Sequence, residues 1–180
     1  MARVPLRTQS DLPEEYRYLL SEDALGERNV VCAIANAPAV LQSYMRYGST
    51  LWEAGELTVR QRELVILGVA RTLDSRYEWQ QHVELGRDAG VNDAELRAIG
   101  RGDFDKFGDA DRTLLRYARA FAERGVTDAV HGALTEQFDT ETTTAVAMLA
   151  SHYVATAHAL DAMDVPLEES FVGWEPGGAD

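Results

Sequence analysis

Residues 57–90, LTVRQRELVILGVARTLDSRYEWQQHVELGRDAG, constrain the fold more than any other stretch of the chain. Thr58 followed three residues later by Gln61 fits a capping box, in which each side chain satisfies a backbone N–H left free at a helix start. The run Leu64-Val65-Ile66-Leu67-Gly68-Val69-Ala70 is apolar on nearly every face, so the helix it builds is expected to be buried all round. Alternating steps of four and three residues link Val59, Glu63, Ile66, Ala70 and Leu73, which places a carboxylate inside an apolar stripe. A charge there must find a partner, or its pKa rises and it stays protonated. After Leu73 and Asp74 a second helix is expected to run to Gly90, a good C-cap residue. On it Ser75, Glu78 and His82 fall at i, i+3 and i+7 and share a face, with Trp79 beside them. A short turn between the two helices makes a hairpin that can bring Glu63 towards that face.

The length of 180 residues suits one domain with a core able to stand without staples. A net charge of −13 argues against nucleic acid, whose phosphates need a basic face, and disfavours anionic membrane surfaces. It leaves room for a small anionic substrate, since a few pocket arginines can override the global field at short range. The single cysteine, Cys32, rules out an intramolecular disulfide and a CxxC pair and fits a reducing compartment. No apolar run approaches a membrane span, and the N-terminus lacks a hydrophobic signal core, so a cytoplasmic protein is expected.

Along the rest of the chain, residues 1–37 read as an N-terminal arm with short helices, among them Pro13 to Leu20 with proline at the first turn. Pro38 starts an amphipathic helix reaching about Trp52. Asn92 with Glu95 caps a helix from Asp93 to Ile99, and a Gly/Asp-rich loop follows from Gly100 to Asp111. That loop lacks the ligand spacing of an EF-hand. Asp109 or Asp111 starts a helix closed by Gly125, Thr127 caps a shorter one, and Asp139 or Thr140 opens the last long helix, ended by Pro166. Residues 169–180 carry Gly and Pro and are expected to be loose. No strand signal is evident, so the expectation is an all-α fold of six to eight helices.

Three motifs carry a resemblance: Leu57-Thr58-x-Arg60-x-Arg62-Glu63-Leu64, Tyr77-Glu78-Trp79-x-x-His82 and Ala89-Gly90-Val91. With Tyr153-Val154 and Val165-Pro166-Leu167-Glu168 near the end, residues 38–168 resemble the carboxymuconolactone decarboxylase/alkylhydroperoxidase D superfamily. The resemblance implies its helical fold, built about the central hairpin, and trimers or hexamers. The peroxidase branch of that superfamily uses two cysteines three apart, a histidine four beyond the second and a glutamate on the preceding helix. Glu63 and His82 match the last two, but Ser75 and Glu78 stand at the cysteine positions. Thiol peroxidase chemistry is therefore not expected. The Glu-Trp-x-x-His form resembles the decarboxylase side, whose namesake is a cofactor-free enzyme of aromatic-compound catabolism.

The resemblance implies a cofactor-independent, carboxy-lyase-type enzyme acting on a small unsaturated or lactone carboxylic acid. Decarboxylation leaves an electron pair that a conjugated lactone carbonyl can take as a dienolate, so neither metal nor organic cofactor is expected. The protein must then stabilise the enolate oxygen and deliver a proton to carbon. His82 is the first choice as proton donor because imidazole titrates near neutrality. Glu63 would orient it, and Glu78 is the alternative acid. Arg62 or Arg76 are candidates to anchor a substrate carboxylate, Tyr77 or Ser75 to donate to the enolate, and Trp79 to wall the pocket. Ser75 also reads as a helix N-cap. His152 and His158, six apart on the last helix, lie on different faces and lack a third well-placed metal ligand. Two other readings stand beside this one: a non-catalytic oligomeric member that binds a small ligand or partner, and a peroxidase-type protein relying on Cys32.

Overall fold

The computed structural model describes residues 2–177, and among these residues every regular element is helical. Short 3-10 helices at Gln9–Asp11 and Glu14–Leu20 precede α1 (Asn29–Ile34), α2 (Pro38–Glu53), α3 (Val59–Thr72) and α4 (Arg76–Asp88). The chain continues through α5 (Asp93–Arg101), α6 (Asp109–Ala122), α7 (Asp128–Thr135) and α8 (Thr140–Met163).

The central helix is α3, and its boundaries are set by local chemistry. Thr58 accepts from the Gln61 N–H while Gln61 Oε1 accepts from the Thr58 N–H at 3.0 Å, so the capping box of the sequence forms. Every residue from Glu63 to Ala70 is buried, as an all-round apolar helix requires. α3 packs against α4, α6 and α8. Val65, Ile66 and Val69 face a core shared with Leu114 of α6, Leu134 of α7 and Val146 and Leu149 of α8. Leu64, Leu67 and Ala70 face a second core with Trp79, Val83, Leu96 and Ile99. Burying each such Leu or Ile stabilises the fold by roughly 1.5–3 kcal/mol. A third cluster, with Leu12, Leu19, Leu20, Val31 and Leu41, seats the N-terminal arm on its own chain.

At the start of α3, Arg60 works as a staple. Its guanidinium bonds Glu95 at 2.7 Å, Asp111 at 3.1 Å and the Gly90 carbonyl at 2.6 Å, joining α3 to the α4–α5 turn, α5 and α6. The hairpin turn between α3 and α4 puts Asp74 at φ +52°, with its carboxylate bonded to Arg71. Ser75 occupies the N-cap position of α4, but its side chain makes no capping hydrogen bond, unlike Asn92 at the start of α5.

The C-terminal segment departs from expectation. Over residues 169–177 it is strapped to the hairpin rather than loose; residues 178–180 lie outside the described residues. Val172 donates to Gln80 Oε1 at 2.7 Å, Trp79 Nε1 donates to the Gly173 carbonyl at 2.9 Å, and Glu175 pairs with Arg101. The Arg71 and Arg76 guanidiniums lie over Trp174 and Phe171 at 4.9 and 4.5 Å. Aromatic residues outweigh the Gly and Pro that suggested disorder, because Phe171 and Trp174 reach the second core.

The strap crosses α5 where the helix carries glycine. A Cβ on Gly100 would sit 1.9 Å from the Trp174 carbonyl oxygen, an overlap that backbone must move to relieve. Gly100→Ala should therefore lower the unfolding free energy by about 1–3 kcal/mol in urea melts. It should also speed proteolytic cutting within 169–177; wild-type stability with an unchanged cutting rate would contradict this packing.

Candidate functional site

Buried carboxylates are expensive, and Glu63 is 0% exposed in the middle of the apolar helix. Its partner comes from α4: Glu63 Oε2 lies 2.9 Å from His82 Nδ1. The hairpin achieves this by folding α4 back along α3 so that one face of α4 looks at the stripe. With Nδ1 engaged, the other ring nitrogen, Nε2, is 3.9 Å from Glu78 Oε2, too far for a direct hydrogen bond. Glu63 Oε1 is buried without a hydrogen-bond partner.

His82 and Glu78 open onto a cavity of about 540 Å³, a volume suited to a small molecule. Its walls come from the 21–28 turn (Asp23, Leu25, Arg28), α1 (Val30, Val31), α2 (Tyr44, Met45, Gly48, Trp52), α4 (Tyr77, Glu78, Gln81, His82, Leu85) and α8 (His152, Tyr153). Tyr153 stands edge-on to the His82 ring with centroids 5.1 Å apart. His152 sits among Tyr44, Tyr47 and Tyr153, with centroid distances of 4.8, 5.4 and 5.3 Å. Thr156 Oγ1 donates to the His152 carbonyl, so the Tyr44 hydroxyl 3.0 Å from that oxygen is the donor of their shared bond.

Electrostatics divide these groups. Burial pushes the Glu78 carboxyl up to about 7; His82 acts in the opposite sense and the Glu63 charge adds to the rise. Burial likewise raises Tyr44 to about 12 and Tyr153 well above the usual phenol value, so both stay neutral donors. Burial lowers His152, favouring its neutral imidazole. The site thus combines a buried Glu–His pair, a carboxyl raised to about 7, and two phenols around a mainly apolar space.

The sequence-derived candidates separate on the structure. Glu63, Glu78 and His82 come together, Glu63 behind His82 and out of the cavity lining. Tyr77 lines the cavity, yet its hydroxyl donates to Glu168 at 2.5 Å and accepts from the Val30 N–H at 3.0 Å. Ser75 and Arg76 border a separate hollow near Asp161 and Pro166. Trp79 is wholly buried in the second core, and Arg76 is exposed against Phe171. Arg62 does not line the cavity; its guanidinium lies 5.9 Å from the Trp52 ring. The reason is geometric: α4 turns one face to the cavity and the adjacent one to the C-terminal strap, and i+3 spacing alone does not separate them.

Sequence reasoning missed Tyr44, Trp52, Tyr153 and Arg28, and left His152 open. His152 lines the cavity while His158 is exposed. The alternating aromatic and histidine residues His152 and Tyr153 on an alanine-rich helix were the one available signal. Cys32 is buried outside the cavity lining, and burial, with Glu27 and Glu168, raises its thiol to about 11. That is opposite to the activated thiolate that peroxide reduction needs.

The model of the carboxymuconolactone decarboxylase family matches residues 38–120 of this chain. Among solved structures, an uncharacterized peroxidase-related protein from Ralstonia eutropha JMP134 with an alkylhydroperoxidase AhpD core is similar. It has a TM-score of 0.77 at 19% identity, over 97% of this chain and 96% of that one. The debrominase Bmp8, solved without ligand and as a variant in complex with 2,3,4-tribromopyrrole, has a TM-score of 0.78 at 14% identity, over 92% of this chain and 91% of its own. These likenesses show a shared fold. No curated protein matches by sequence. Among the described residues, no helix is long and apolar enough to cross a membrane.

Glu78 gives a test of this electrostatic arrangement. A carboxyl raised from 4.5 to about 7 in the fold favours the folded state fully below 4.5, and that contribution is lost as pH rises through 7. Thermal melts of wild type between pH 5 and 8 should therefore show a decline that Glu78→Gln reduces. An equal decline in both proteins would show that Glu78 ionises normally.

Proposed function

We propose that this chain is a cofactor-independent lyase of the decarboxylase type, acting on a small unsaturated or lactone carboxylic acid. The observation that carries the reading is the 2.9 Å contact between Glu63 and His82 Nδ1, which leaves the opposite ring nitrogen on the cavity side. Loss of carbon dioxide leaves a dienolate. His82 Nε2–H delivers the proton to carbon, and the Glu63 carboxylate balances the imidazolium charge that this role requires. Glu78, in the protonated form that burial favours, donates to the enolate oxygen, where a preorganised donor stabilises the developing charge. Tyr153 and Trp52 wall the space in which the departing carboxylate loses its water.

The anchoring role expected of Arg62 or Arg76 passes in this proposal to Arg28, the arginine in the cavity lining. Its Nη1 donates to Gln81 Oε1 at 3.0 Å, which holds the guanidinium one helical turn from Glu78. Gln81 is itself fixed through Nε2 to Glu168 at 2.9 Å. A second, retained carboxylate of the substrate then lies towards Arg28 and the reacting carbon towards His82.

The test is turnover of a panel of unsaturated lactone acids, followed by carbon dioxide release. Glu63→Gln and His82→Ala should each reduce kcat/KM by about 10²–10⁴ while circular dichroism remains that of the folded protein. Folded variants with undiminished turnover would remove the proposed site. Saturable binding of the panel without turnover by wild type would instead identify a ligand-binding member of the superfamily.

A further inference from the structure

The two proton-handling groups on α4 are neighbours without being partners. His82 Nε2 and Glu78 Oε2 stand 3.9 Å apart, both residues line the cavity, and neither atom is consumed by the other. The far side of the imidazole is fixed by Glu63, so the ring presents Nε2 to whatever lies in the cavity. A base and an acid displayed side by side can act on two atoms of one small molecule. Decarboxylation uses this arrangement only in its second half, the protonation of the dienolate.

The charge around the cavity bears on which molecules reach that pair. The carboxylates in its lining are Asp23, Glu53 and Glu78, against Arg28 as the arginine, and Arg28 already serves Gln81. Tyr44, Trp52, Tyr77 and Tyr153 supply aromatic surface. Such a space receives a neutral, flat carbonyl compound without an electrostatic penalty, and a chain of net charge −13 does not repel it.

We propose that the same site isomerises neutral β,γ-unsaturated lactones or ketones to their conjugated forms by a 1,3-proton shift. The inference rests on the roles given above to His82, Glu63 and Glu78, but not on loss of carbon dioxide. His82 Nε2 takes a proton from the carbon between the carbonyl and the double bond, and the C–H electron pair moves into the carbonyl as a dienolate. The Glu78 carboxylic acid hydrogen-bonds the enolate oxygen, and Glu63 balances the imidazolium. The proton on Nε2 then passes to the γ carbon, the electron pair of the enolate closes the conjugated double bond, and His82 returns to its starting form. One proton leaves one carbon and one reaches another, so no oxidant, reductant or co-reactant is consumed.

The experiment incubates the full-length protein in deuterium oxide with α-angelica lactone, a neutral β,γ-unsaturated lactone, and with 3-cyclohexenone. Proton NMR follows deuterium uptake and ultraviolet absorbance follows the conjugated product. Carbon dioxide release from the lactone-acid panel is measured in parallel. Wild type should exceed the buffer rate at least tenfold on one of the two probes. His82→Gln and Glu78→Gln, each with a folded circular dichroism spectrum, should fall to within twofold of buffer, while Cys32→Ser keeps the wild-type rate. Formation of the conjugated product without carbon dioxide release would uphold the isomerase and remove the decarboxylase reading, whereas deuterium uptake at the α carbon without conjugation would overturn the 1,3-shift. Carbon dioxide release without uptake or conjugation of either neutral probe would overturn the isomerase alone. A buffer rate in both assays would remove both, and full activity in His82→Gln would place the proton transfer elsewhere.

Discussion

A carboxylate in the middle of an apolar helix is the constraint on which the rest of this structure turns. Glu63 has no access to solvent, and only one of its oxygens is hydrogen-bonded, to His82. The cost of that arrangement falls if the imidazole can carry positive charge, and it rises if the ring moves away. The hairpin is therefore held on several sides: Arg60 ties the start of α3 to α5 and α6, and the C-terminal strap closes over the outer face of α4. Neither device touches the cavity. Both fix the angle at which α4 meets α3, and hence the 2.9 Å contact.

The second consequence is a division of labour between the faces of one short helix. Glu78, Gln81, His82 and Leu85 of α4 line the cavity, whereas Trp79 and Val83 pack into the core beneath the strap. Glu168 links the two regions. It accepts from Tyr77, Gln81 and the Asn29 backbone, joining the segment after α8 to α4 and to the start of α1. Since Gln81 also holds Arg28, the wall formed by residues 23–31 depends on a carboxylate from the far end of the chain.

Much of this was legible in the sequence because it is local. The capping boxes at Thr58 and Asn92, the buried run of α3, and the pairing of Glu63 with the His82 face follow from spacings of three and four residues. The rest depended on elements distant in sequence. Tyr44 and Trp52 reach the cavity from α2, His152 and Tyr153 from α8, and Arg28 from the turn before α1. No periodicity within one helix reports which other helix it will face. The same limit explains Ser75, Arg76 and Trp79: they share α4 or its cap with Glu78 and His82, but the strap and the second hollow claim their side of it. The strap itself was hidden by its Gly and Pro content, while the contacts that bind it come from Arg71, Trp79 and Arg101, each far upstream.

Burial and charge together narrow the chemistry available in the cavity. A thiol mechanism needs a cation or a helix N-terminus to stabilise a thiolate, and Cys32 sits instead among groups that raise its pKa. A carboxyl and an imidazole need no such activation: burial raises the Glu78 carboxyl to about 7, and Glu63 Oε2 lies 2.9 Å from His82 Nδ1. Replacing the paired cysteines of the peroxidase pattern by Ser75 and Glu78 thus does more than delete a redox couple. The glutamate stands one turn before His82, with Oε2 3.9 Å from Nε2, at the place where the proposed chemistry handles protons. The serine falls outside the cavity lining, so the two positions are not equivalent: of the two, Glu78 is the one that stands beside His82 in the cavity.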